Sequence, residues 1–78
     1  MRKGKILVVE DDSDIREGVR ILLESEEYEV IEAENGVVGL KLLDETIDLV
    51  ILDIMMPKVD GISVLKEIRS RGNQIPVL

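Results

Sequence analysis

The sequence predicts an α/β fold, a parallel sheet with helices on both faces, laid down as βαβαβα and followed by a further short strand. Three observations predict it. Two short aliphatic runs, Ile6-Leu7-Val8-Val9 and Leu49-Val50-Ile51-Leu52, have the look of strands buried on both faces. Segments of helical periodicity alternate with the strand-like runs over short connections, as right-handed β–α–β crossovers require. The composition is 45% apolar with Tyr28 as its single aromatic residue, which suits a core of Ile, Leu and Val.

The elements follow in order. Residues 6–9 read as a short buried strand. Ser13 or Asp12 caps the helix that follows, and Asp14 and Glu17 suit its positive N-terminal end. Ile15, Val19, Leu22 and Leu23 share one helical face, Glu17, Arg20 and Glu24 fall opposite, and Arg16 stands at the border. Ile21 lies off that face. The helix is expected to end near residues 25–27. Tyr28-Glu29-Val30-Ile31-Glu32-Ala33 alternates only in part and suits an edge strand.

Glu34-Asn35-Gly36 is a turn in which Asn35 can cap a short helix. Val37, Leu40 and Leu43, with Leu42 beside them, form its expected inner face. Residues 49–52 are the most apolar strand and by that token the most central. After Pro57, Lys58-Val59-Asp60-Gly61 turns into a helix with Ile62, Leu65 and Ile68 inward and Lys66, Glu67 and Arg69 outward. Arg69 and Arg71 complement the negative end of its dipole, and Gly72-Asn73 stops it. Ile75-Pro76-Val77-Leu78 reads as the beginning of another strand.

The bulk properties narrow the function. With 78 residues the chain makes one small domain, which buries only about 60% of the surface its unfolded form exposes. It has no Cys and no His, which excludes disulfides, thiolate metal sites and His-based acid–base catalysis within this chain. A net charge of −7 argues against nucleic-acid binding by this segment and fits a cation or a basic partner. Met1-Arg2-Lys3-Gly4-Lys5 looks like a signal n-region, but the apolar run after it is too short for a signal peptide. No apolar run approaches the roughly 20 residues that span a bilayer. The expectation is a cytoplasmic protein without membrane contact.

The chemistry lies in two acidic clusters at strand ends. Glu10-Asp11-Asp12 follows the first apolar run, and Asp53 follows residues 49–52. In parallel α/β sheets ligands bind beyond the carboxyl ends of the strands, where strand order reverses. If the two strands are neighbours, Glu10, Asp11 and Asp53 converge on one crevice and raise one another's pKa unless a cation is present. Mg²⁺ is the natural occupant, since it takes oxygen ligands and keeps waters or phosphate oxygens. Acidic residues after a strand also serve simply as helix caps, the reading preferred for Asp12. Asp60-Gly61 reads as a turn and helix start, Met55 and Met56 as packing residues. A backbone carbonyl at Met55 could still reach a cation held by Asp53.

Taken together, Ile6-Leu7-Val8-Val9-Glu10-Asp11-Asp12, Asn35-Gly36, Asp53-Ile54-Met55-Met56-Pro57 and Asp60-Gly61 resemble the receiver domain of bacterial two-component response regulators. The likeness runs from about Lys5 to Leu78. It implies a flavodoxin-like (CheY-like) parallel sheet, here incomplete as βαβαβαβ with strand order 2-1-3-4. It also implies that Asp53 accepts a phosphoryl group from a sensor histidine kinase or a small phosphodonor. Asp11 and Asp53 would ligate Mg²⁺ directly, Glu10 through water, and the Met55 backbone carbonyl would complete the protein ligands. Such a domain is a phosphoacceptor and not an enzyme in the usual sense.

The family pattern continues with a Ser or Thr ending a fourth strand and a Lys ending a fifth, and neither position occurs within residues 1–78. The expectation is a single partial receiver domain with impaired phosphotransfer. An open apolar edge at residues 75–78 leads to the further expectation of a homodimer or higher assembly. One alternative reading is a non-signalling half-fold that self-associates to complete its sheet. A weaker one is a Mg²⁺-dependent phosphohydrolase, whose usual second Asp is replaced here by Met55. Arg16, Val19, Arg20 and Leu23 are the candidates for kinase contact on the first helix.

Overall fold

The computed structural model describes residues 3–53 and 61–78. Its elements are β1 (Gly4–Val9), α1 (Ser13–Ser25), β2 (Tyr28–Ala33), α2 (Gly36–Leu42), β3 (Leu49–Leu52) and α3 (Gly61–Ser70). The strands form one parallel sheet in the order β2-β1-β3. In register, Gly4 through Val9 face Tyr28 through Ala33, and Ile6 through Val9 face Leu49 through Leu52. Val77 adds a parallel bridge to Val50 on the other edge of β3. There the Leu78 N–H donates to the Val50 carbonyl at 2.8 Å, and the Leu52 N–H to the Leu78 carbonyl at 3.0 Å. The bridging segment occupies the fourth place of the expected 2-1-3-4 order. β1, not β3, is the central named strand. β3 is nevertheless apolar because it lies between β1 and residues 76–78.

The helices divide between the two faces for a topological reason. The step from β1 to β2 runs one way across the sheet, and the step from β2 to β3 runs back over β1. Two crossovers of the same hand must then lie on opposite faces. The alternation along β1 follows this division. Leu7 and Val9 join Ala33, Val50, Leu52, Val64 and Ile68 in the main core, against α2 and α3. Ile6 and Val8 are equally buried but face the other way, toward α1.

Helix phase is where the structure departs from the sequence reading. α1 has no fully buried residue, and Ile15 and Leu22, read as inward, are 54% and 63% exposed. The helix rests on β1 and β2, which cover only the narrow stripe that half-buries Val19 and Leu23. In α2 the buried positions are Gly36 and Gly39, with Val38, Leu40 and Leu43 packed on the core. Val37 and Leu42 point outward. α3 buries Gly61, Val64 and Ile68 and packs Leu65, leaving Ile62 exposed. Its inner stripe thus follows the spacing i, i+3, i+4, i+7 from Gly61.

Helix ends behave as the sequence reading expects. Asp12 Oδ1 accepts the N–H groups of Asp14 at 2.9 Å and Ile15 at 3.2 Å, and Asn35 Oδ1 accepts that of Val38 at 2.9 Å. After α3, Gly72 adopts φ +75°. Its N–H donates to the Arg69 carbonyl and that of Asn73 to the Ile68 carbonyl, the paired bonds of a Schellman stop. After α1 the same left-handed position falls to Glu27, at φ +71°. Among the described residues, no helix is long and apolar enough to cross a membrane.

Candidate functional site

Backbone register builds the site. Val9 and Leu52 are paired at the ends of β1 and β3, so Glu10 and Asp53 leave the sheet side by side. The Asp53 N–H donates to the Val9 carbonyl at 3.1 Å, and the Glu10 N–H to the Ala33 carbonyl at 3.0 Å. Both residues are therefore anchored through the main chain of a neighbouring strand. Beyond β1 the chain turns to one face of the sheet through α1, while α3, which follows β3 in sequence, packs on the other. The crevice between the two strand ends is thus a topological switch point.

The carboxylates of Glu10, Asp11 and Asp53 converge there, with one oxygen from each lying within 4.8 Å of the others. Glu10 and Asp53 are half-buried and Asp11 is exposed. The Asp12 N–H donates to Glu10 Oε2 at 3.2 Å, while the Asp12 side chain caps α1. Burial is the first cause that raises the Glu10 pKa from its ordinary value. The neighbouring carboxyl groups of Asp11 and Asp53 act in the same direction, opposed by the Asp12 N–H. A site that penalises its own negative charge in this way favours a cation. An octahedral Mg²⁺ at about 2.1 Å from each ligand holds its oxygens no more than about 4.2 Å apart. Three carboxylate oxygens within 4.8 Å of one another are a hard-oxygen donor set that fits Mg²⁺.

The Met55 carbonyl and Asp60, both named from the sequence, lie outside the described residues. So do the other residues from Ile54 to Lys58. The sequence reading missed the part played by Arg16. From the second turn of α1 its Nη1 donates to the Glu10 carbonyl at 2.7 Å, and its Nε stands 3.4 Å from Glu32 Oε1. The available signal was its position one turn beyond the Asp12 cap, on the border of the apolar face.

Comparison with known proteins places this geometry in a family. Residues 6–78 match the family model of the response regulator receiver domain, and the chain belongs to that family. It is 47% identical over 75 residues to a transcriptional regulatory protein CpxR homolog of Haemophilus influenzae, covering 96% of this chain and 33% of the relative. The CpxR protein of Escherichia coli K12 is likewise 47% identical over 75 residues, with 32% of its length covered. The chain thus spans about a third of the length of the curated relatives it matches. Among solved structures it is similar to the response regulator TrrA of Thermotoga maritima in complex with Mg(2+)-BeF. That match has a TM-score of 0.87 and 43% identity and covers 95% of this chain and 65% of that one. TrrA has also been solved in complex with the histidine kinase ThkA, with a TM-score to this chain of 0.85.

Proposed function

We propose that residues 1–78 form a phosphoacceptor module in which Asp53 takes a phosphoryl group from a sensor histidine kinase. The observation that carries this reading is the convergence of Glu10, Asp11 and Asp53 at the switch point of a receiver fold. An Asp53 carboxylate oxygen attacks the phosphorus of a phosphohistidine, forming an O–P bond as the P–N bond breaks, and the imidazole nitrogen leaves with the electron pair. Asp11 and Asp53 would hold Mg²⁺ directly, Glu10 through water, and the Met55 carbonyl would be the remaining protein ligand. The chemistry that a Mg²⁺ held there would supply is neutralisation of charge on the phosphoryl oxygens. The hydrogen bond from the Asp53 N–H to the Val9 carbonyl supports the attacking role of Asp53 by fixing its main chain beside β1. The half of the chemistry that activates phosphate belongs to the kinase, so the chain is a phosphoacceptor and not an enzyme in the usual sense. The TrrA complexes with Mg(2+)-BeF and with a histidine kinase support the choice of metal and of partner. The setting is cytoplasmic, and the charge of −7 argues against nucleic-acid contact through this segment.

The test is a calorimetric titration with Mg²⁺ in the presence of beryllium fluoride. Wild type binds stoichiometrically and Asp53→Asn does not. Binding that survives Asp53→Asn, or its absence from a folded wild type, overturns the reading.

We also propose that the chain associates with a second copy of itself. The pairing runs along the sheet edge beside β3, where Val77 bridges Val50 and Leu78 is 79% exposed. Sedimentation showing a monomer at high micromolar concentration contradicts this.

A further inference from the structure

Glu10 is held by its main chain on both sides. Its N–H is bound to the Ala33 carbonyl on β2, and its carbonyl accepts Arg16 Nη1 from α1 at 2.7 Å. That carbonyl belongs to the peptide joining Glu10 to Asp11, so the plane that Arg16 fixes lies between two of the converging carboxylates. The hydrogen-bond ladder of α1 does not supply this restraint, because its first bond runs from the Arg16 N–H to the Asp12 carbonyl. An uncompensated change in Glu10 ψ or Asp11 φ would turn the Asp11 Cα–Cβ bond relative to that of Glu10 and spread the oxygens that now lie within 4.8 Å of one another.

Arg16 is itself aimed. Its side chain is only 19% exposed, and Nε pairs with Glu32 Oε1 at 3.4 Å. The other oxygen of Glu32 faces Arg20 Nε at 3.4 Å, and Arg20 Nη1 bonds Glu24 Oε1 at 2.9 Å. The planar guanidinium fork lets one residue serve the Glu10 carbonyl and the Glu32 carboxylate along fixed directions. Glu32 precedes Ala33, the residue that binds the Glu10 N–H, so β2 supports Glu10 both directly and through Arg16.

We propose that Arg16 is a positioning residue for the metal site: through the Glu10–Asp11 peptide it sets the spacing of the two carboxylates, and Glu32 sets the direction of its guanidinium. This rests on the reading of Glu10, Asp11 and Asp53 as a Mg²⁺ site. Groups that orient metal ligands from outside the coordination sphere typically change affinity 10–100-fold when removed.

The experiment measures Mg²⁺ affinity by calorimetry beside melting curves taken in chelator, for wild type, Arg16→Gln, Arg16→Lys, Glu32→Gln and the Arg16→Gln/Glu32→Gln double variant. Arg16→Gln is expected to bind Mg²⁺ about 10-fold more weakly. Arg16→Lys keeps a donor for the Glu10 carbonyl and recovers part of the loss. Glu32→Gln weakens binding when Arg16 is present and has no further effect in the double variant. A purely structural ion pair would lower the melting temperature in chelator without this pattern. Unchanged Mg²⁺ affinity in Arg16→Gln overturns the proposal and leaves the metal site standing, and if that variant does not fold, unchanged affinity in Glu32→Gln decides in the same way. A folded wild type that binds no Mg²⁺ overturns the metal site and the proposal with it.

Discussion

Replacing Gly39 with alanine puts a methyl group where α2 crosses the end of β1. A Cβ at this position would lie 2.8 Å from Val9 Cγ2, 3.4 Å from Val9 Cγ1 and 3.7 Å from the Ala33 Cβ. Val9 and Ala33 are each 1% exposed, and a β-branched side chain has little rotamer freedom with which to yield. Overpacking of this kind costs about 1–3 kcal/mol. Alanine is also the better helix former by about 1 kcal/mol, so the net loss is about 0–2 kcal/mol. Gly18 supplies the control. It lies within α1, and a Cβ there would meet nothing within 4 Å, so Gly18→Ala should stabilise by about 1 kcal/mol. Subtracting one substitution from the other removes the shared helix-propensity gain and leaves the clash, about 1–3 kcal/mol.

Urea unfolding followed by circular dichroism reads both variants. In thermal melts Gly18→Ala should raise Tm by about 4–8 °C, the shift per kcal/mol for a domain of this size. The clash also bears on the site, because Val9 leads directly into Glu10 and its carbonyl anchors Asp53. Equal stabilisation by the two alanines would refute the close packing of α2 on Val9.

Two further predictions concern a helix end and the acidic cluster. Glu27 occupies a left-handed backbone position at φ +71°, so Glu27→Gly should stabilise by about 0.5–1 kcal/mol in urea unfolding. A loss of stability would show that the Glu27 side chain contributes more than the strain costs. The Glu10 pKa is raised from its ordinary value in the folded chain, chiefly by burial. Between the unfolded pKa and the folded one the native state therefore binds more protons, and Mg²⁺-free stability falls as pH rises through that window. Glu10→Gln should remove this fall and weaken Mg²⁺ binding. Identical pH profiles for wild type and variant in chelator would refute a raised Glu10 pKa in the folded chain.

The features legible in the sequence are those fixed by local chemistry. Asp12, Asn35 and Gly72 announce helix ends because a side-chain acceptor or a permissive backbone is needed at one defined position. The convergence of Glu10, Asp11 and Asp53 was also legible, because parallel neighbours that end at one level bring their following residues together. Helix phase was harder. α2 has only seven residues, and its buried stripe is led by Gly36 and Gly39, which carry no apolar signal. Reading Val37 as inward rather than Val38 is the result. In α3 the buried Gly61 misleads similarly, shifting attention to Ile62 and away from Val64. The inner place of β3 was legible because a strand flanked by β1 and by residues 76–78 is apolar on both faces. Arg16 escaped because its partner is a backbone carbonyl, and side-chain patterning does not show which carbonyls a helix leaves available.

The most direct test of the account is the intact mass of the chain after incubation with Mg²⁺ and acetyl phosphate, beside a sample in chelator and an Asp53→Ala variant. One added phosphoryl group is expected in wild type with Mg²⁺ and none in either control. A folded wild type that gains no phosphoryl group, or an Asp53→Ala variant that gains one, would contradict it.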